Sequence, residues 1–289
     1  MRVYSVDPGD PFLKTLAARL DDGTLWPGGV RPDHPLALAR ATVYLPTRRA
    51  ARALAEEFLA LAGGPTALPR IEALGESEEE ADEGGEAVMG LLEARVALAA
   101  LVDAFARTLE RDLHDGERLL IPASGADAVR LADDLITLMD QVETQEADWA
   151  DLPGLVERSD LASHWQITTR FLTIATEVWP AHLAAAGKIT AATARRLEAE
   201  RAARQALTPA GPAVVAGSTG SIPATRRLIR AIADSTMGVV VLPGFDRDAD
   251  ATAWAALAAA AAGSGHPQVG MARLAAALEI LGGDVACRA

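Results

Sequence analysis

Lys14-Thr15 stand just downstream of a short apolar run, Arg2-Val3-Tyr4-Ser5-Val6, where a phosphate-binding loop would place the same two residue types. Such a loop needs one glycine, a second five residues on, then lysine and a hydroxyl residue, so that backbone N–H groups and the ammonium surround phosphate oxygens. Here Pro8 and Leu13 stand where the glycines belong. Pro11 brings no N–H, and Asp7 and Asp10 repel an anion. The reading favours a plain βα turn with a proline near the helix start.

A second candidate is Pro46-Thr47-Arg48-Arg49, between the run Ala41-Thr42-Val43-Tyr44-Leu45 and an amphipathic segment. Thr47 is a good N-cap. Arg48 and Arg49 then fall in the first turn, where the helix dipole prefers acids. Two readings stay open: an anionic partner such as a nucleic-acid backbone, or two solvated arginines matched by acids elsewhere. A third is Gly217-Ser218-Thr219-Gly220-Ser221-Ile222-Pro223, small and hydroxyl-rich before a helix, with Ser221 the expected cap and Pro223 near N1. Its spacing matches no phosphate fingerprint. In Pro243-Gly244-Phe245-Asp246-Arg247-Asp248-Ala249-Asp250 the acids alternate as at the start of a calcium loop. The glycine and the closing glutamate of that loop are missing, so a solvated helix N-terminus is expected.

The rest of the inventory is negative. His34, His114, His164, His182 and His266 form no metal-binding pair, and no nucleophile elbow occurs. Cys287 is the only cysteine, which leaves no thiolate site and no disulfide framework. Trp149, Trp165 and Trp179 are spaced as packing residues. No catalytic, metal or cofactor site is expected.

The elements that position these loops follow from periodicity. The N-terminal third reads as strand, helix (Phe12, Leu16 and Leu20 on one face), proline-glycine loop, strand and helix. In that second helix Ala51, Leu54, Ala55, Phe58, Leu59 and Ala62 form the apolar stripe. A further strand is expected within Leu68 to Leu74. Residues 76–206 carry no convincing strand and read as helices over 86–113, 124–143, 159–186 and 191–205, with Ser124 and Gly187 as start and stop. From 207 onward strands return at Ala213–Ala216 and Gly238–Leu242, each followed by a helix, and a last helix over 269–281. Continuous apolar strands alternating with helices predict a parallel sheet covered on both faces. The expected architecture is an α/β core from 1–75 and 207–289, with 76–206 a helical insertion.

Composition bounds the function. The chain has 289 residues, 50% of them hydrophobic, enough for a sizeable core and too many for a disordered chain. Its net charge is −13, but the segment 76–86 supplies seven acids and no base. That balance argues against a stand-alone binder of duplex DNA and leaves room for a local basic patch. No apolar run approaches the ~20 residues of a membrane span, and no signal peptide is visible. A cytoplasmic protein is expected.

Several of these segments carry a resemblance. Ala216-Gly217-Ser218-Thr219-Gly220-Ser221-Ile222-Pro223-Ala224-Thr225, followed by Val239-Val240-Val241-Leu242-Pro243-Gly244, resembles the alphaproteobacterial AddB family, a subunit of the AddAB helicase–nuclease of double-strand break repair. Tyr44 to Leu54, His164-Trp165-Gln166-Ile167-Thr168 and His266-Pro267-Gln268 are similar to the same family. The resemblance implies a RecA-like, superfamily-1 helicase-type core with an inserted helical subdomain. It implies an AddA-type motor subunit as partner and single-stranded or end DNA as ligand, touched through Thr47, Arg48 and Arg49. It also implies a degenerate nucleotide site: Lys14 and Thr15 lack their loop, and Gly217 and Ser218 stand where an Asp-Glu pair would hold magnesium. The family's nuclease domain lies farther toward the C-terminus, so an N-terminal fragment is expected. On this reading the chain hydrolyses no ATP. The alternatives are a divergent nucleotide hydrolase using Lys14-Thr15, and a scaffold without ligand.

Overall fold

The computed structural model describes residues 1–34, 36–74, 87–112, 124–151, 162–207, 211–260, 266–280 and 286–287. The acidic segment 76–86 and His114 lie outside the described residues, as do the side chains of His164 and Trp165. The chain divides into two compact units, Met1–Glu76 with Arg196–Ala289, and Ser77–Arg195.

The first unit is built on a parallel sheet. Its strands are β1 (Val3–Val6), β2 (Thr42–Leu45), β3 (Arg70–Ala73), β6 (Ala213–Ala216), β7 (Gly238–Pro243) and β8 (Ala286–Cys287), in the order β3-β2-β6-β7-β1-β8. The two-residue edge strand β8 was not foreseen, because so short a run carries no pattern of its own. Pairing such as Val3↔Val240, Val43↔Val214 and Val215↔Val240 keeps side chains of like direction in register. Alternate residues therefore feed two cores. Val3, Tyr44, Val215, Val240 and Leu242 join one, and Val6, Val43, Leu45, Val214 and Val241 join the other. Both faces are covered, which is why these strands are continuously apolar in sequence.

Helices α1 (Phe12–Asp21) and α2 (Arg48–Ala62) cover one face, through Leu16, Leu20, Leu54 and Phe58. The apolar stripe of α2 is narrower than expected. Leu59 and Ala62 are exposed, because only Leu54 and Phe58 point squarely at the sheet. The other face carries α8 (Pro223–Asp234), α9 (Ala251–Ala259) and α10 (Val269–Leu278). Leu228, Ile229, Ile232 and Ala233 give α8 a buried seam at helical spacing.

The second unit holds β4 (Ala87–Val88), α3 (Leu91–Asp112), α4 (Gly125–Thr144), α5 (Ala162–Thr173), α6 (Trp179–Ala186) and β5 (Lys188–Ile189). Its core centres on Leu98, Val102, Ala132, Leu135 and Met139, with Trp179 buried and Trp149 partly so. Two expectations need correction here. β4 and β5 form a two-residue parallel ladder in a region read as strandless, a pairing fixed by tertiary approach. The long helix expected to end at Ala186 is interrupted by a π-helical turn, Ile174–Val178. Pro180, which has no N–H to donate, stands two residues past that turn. Ser124 caps α4 as expected, accepting from Asp127 N–H at 3.2 Å, and Gly187 ends α6 with φ of 63°.

The boundary between the units falls inside α7 (Ala191–Ala206). Ala202 and Ala206 of that helix already belong to a sheet core. Among the described residues no helix is long and apolar enough to cross a membrane.

Candidate nucleic-acid interface

All strands of the sheet run the same way, so the loops after β1, β2, β6 and β7 emerge together at its carboxyl end. Helices leaving β2 and β6, which are neighbours, pass to opposite faces, and so do those leaving β7 and β1. That is the arrangement in which α/β proteins open a crevice. Thr47, Arg48 and Arg49 are thereby brought beside Gly217 and Ser218, while Lys14 and Thr15 stand across β7.

The loop after β1 is a tight turn closed by Asp10 N–H donating to Asp7 O at 3.0 Å. Pro11 is the N-cap of α1 and carries no capping oxygen. Lys14 is exposed and Thr15 half-buried on the first turn. Instead of surrounding phosphate, this loop packs on its neighbours. Arg247 donates to the Asp7 carboxylate at 3.1 Å. A Cβ on Gly244 would lie 3.1 Å from Pro8 Cγ, so the loops after β1 and β7 are in close contact.

The Phe12 ring fills the middle. Gly217 sits at φ of +73°, and a Cβ there would meet Phe12 Cε1 at 3.3 Å and Pro46 Cδ at 3.6 Å. Loops after β1, β2 and β6 thus meet through an aromatic ring, a proline ring and a bare backbone. That surface offers apolar carbon where phosphate would need N–H donors. Two nearby N–H groups are already engaged, Gly217 to Val241 O at 3.0 Å and Gly220 to Ser218 Oγ at 3.3 Å. Ser221 is not the cap of α8. Ile222 takes that place, and Arg226 reaches back from the first turn to donate to Gly220 O at 3.0 Å.

The acids after β7 serve the backbone. Asp246 Oδ1 accepts from Asp248 and Ala249 N–H, and Asp250 caps α9 through Ala253 N–H at 2.7 Å. The deeper turn is pinned by Phe245 N–H donating to the buried Ser5 hydroxyl at 3.0 Å. Among the described residues no three His, Cys, Asp or Glu side chains group as a metal site requires.

The loop after β2 differs from the others. Thr47 Oγ1 accepts from Ala50 N–H at 3.1 Å, as its sequence position predicts. Arg48 and Arg49 follow on the exposed first turn of α2, and Arg52 is exposed one turn later. No acid occupies that first turn. Cations there oppose the helix dipole by roughly 0.3–1 kcal/mol each, so the dipole does not account for them.

Sequence reasoning singled out Thr47, Arg48 and Arg49, which the structure sets on an exposed helix start, but missed Phe12, Arg226 and the Asp7–Arg247 pair. Phe12 read as an ordinary helix-face residue, and its partner Gly217 is distant in sequence. Compared with known proteins, the chain matches no family model and no curated protein.

Proposed function

We propose that this chain is a helicase-like DNA-holding module without ATP hydrolysis of its own, the N-terminal part of an AddB-type subunit that binds single-stranded or end DNA beside an AddA-type motor. The reading supposes a RecA-like core, in the cytoplasm, that retains its DNA-contacting loop and has lost its nucleotide loops. The observation that carries it is the contrast among the carboxyl-end loops. Those after β1, β6 and β7 are packed on one another, whereas the loop after β2 leaves Arg48 and Arg49 exposed on a helix start whose dipole disfavours cations. The helical unit between β3 and β6, and the short segments similar to AddB, add support.

The test is fluorescence anisotropy of a labelled single-stranded oligonucleotide titrated with the full chain across a salt series. Weak binding is expected, with log K falling linearly with log salt. The double variant Arg48→Ala/Arg49→Ala is expected to lower that slope by about 1.4, at roughly 0.7 per phosphate contact on a single strand. Unchanged affinity and slope in the double variant would sink the assignment. Calorimetry with MgATP is the companion measurement. Heat that disappears in Lys14→Ala would return nucleotide chemistry to the loop after β1.

A further inference from the structure

The opposite end of the sheet is built differently. A cavity of about 250 Å³ opens there, lined by Trp26, Pro27, Val30, Pro32, Ala37 and Met237 as its apolar wall and by His34, Arg40 and Gly211. Arg40, Gly211 and Met237 lie one or two residues before strands β2, β6 and β7, which fixes the cavity to the amino edge. Its floor is rigid. Trp26 is almost wholly buried and its indole N–H donates to Leu20 O at 2.9 Å. Thr42 N–H donates to Pro212 O at 2.8 Å, and a Cβ on Gly211 would fall 2.2 Å from the Arg40 carbonyl oxygen. Val30, at 71% exposure, leaves apolar surface at the mouth.

The two polar side chains in the lining have one sense. Arg40 offers only donors. His34 Nδ1 accepts from Leu36 N–H at 3.0 Å, so the ring proton of its neutral form sits on Nε2, also a donor. No acidic side chain lines the cavity among the described residues. A half-open, largely apolar cavity with a guanidinium and an imidazole N–H in its lining matches a ligand with a flat hydrocarbon body and one negative end.

We infer that the amino end of the sheet is a binding site for a small organic carboxylate, held by Arg40 and His34 over the wall of Trp26 and Met237. The site is independent of the DNA-holding surface.

The experiment is a titration of the full chain with benzoate and with indole-3-acetate, followed by amide chemical shifts. Benzamide is the uncharged control. Saturable one-to-one binding of at least one carboxylate is expected, with shifts centred on Trp26, Arg40 and Met237 and weaker binding of benzamide. Arg40→Gln is expected to weaken the carboxylate about tenfold, the share of one charge-assisted contact. Met237→Trp fills the cavity and is expected to abolish binding. Arg40 is exposed, so its variant tests the idea even if the Met237 variant fails to fold. Absence of binding by both carboxylates up to about 10 mM, where ligands of this size with ordinary efficiency register, overturns the proposal. Equal affinity for benzoate and benzamide, or an unaltered affinity in Arg40→Gln, overturns it too. The salt slope for single-stranded DNA belongs to the other surface and is expected to be the same in Arg40→Gln.

Discussion

The two ends of the sheet are built differently. At the carboxyl end, where ligands ordinarily sit, Phe12, Pro46 and Gly217 close the middle and Asp7 pairs with Arg247. At the amino end, ordinarily the structural side, a cavity stands open beside Arg40 and His34. The difference teaches that strand order supplies a crevice, while loop side chains decide whether it stays empty.

The largest expected effect comes from closing the open end. Gly211→Ala forces a Cβ against the Arg40 backbone, and a loss of about 3–5 kcal/mol is expected in thermal or urea unfolding, with the cavity distorted. A tolerated alanine would mean the amino edge is softer than its geometry implies. Opening the closed end costs less. Phe12 is half-buried, so Phe12→Ala is expected to cost about 1–2 kcal/mol in urea midpoint, below the range for a fully buried ring. That variant is still expected not to bind MgATP, because the N–H groups of Gly217 and Gly220 remain occupied. Acquired binding would show that the ring alone shuts the site.

The smallest expected effect calibrates both ends from the sheet edge. Burial pushes the Glu72 carboxyl above its ordinary 4.5; Arg70 pulls it back and Glu198 adds to the rise. The folded chain therefore holds this proton more tightly than the unfolded one. The ionised carboxylate weakens the fold above its raised pKa, and that penalty lifts as pH falls through it toward 4.5. Glu72→Gln is expected to raise the melting temperature by a few degrees at most near neutral pH, with the gain fading in acid. A gain that persisted below pH 4.5 would assign the effect to packing instead.

Much of the architecture was legible because its causes are local. The period-two direction of Val43 and Val214, the seam of Leu228, Ile229 and Ile232, and the caps Thr47 and Ser124 each follow from side chains within a few residues of one another. The candidate site was legible in part. Thr47, Arg48 and Arg49 stood out because a helix start with two cations breaks a local rule. The role of Phe12 escaped because its spacing on α1 satisfies the helix pattern equally well whether it covers sheet or plugs a crevice. Ser221 was misread as a cap, since a hydroxyl next to Pro223 is locally sufficient, yet Ile222 took the position and Arg226 closed the loop. The cavity beside Arg40 carried no motif, being assembled from a loop and the approaches to three strands.

By itself the sequence determined that the chain is an α/β protein with a helical insertion, where its longer strands and most of its helices fall, and that Lys14-Thr15 lack a phosphate loop. Those properties depend on hydrophobic period, proline and glycine placement and missing N–H groups, all readable along the chain. Only the tertiary structure decided the strand order, the two-residue ladders, the ring that fills the carboxyl end and the cavity left at the amino end. These depend on which distant backbones approach within a few ångströms, and that is settled by packing rather than by any neighbour in sequence.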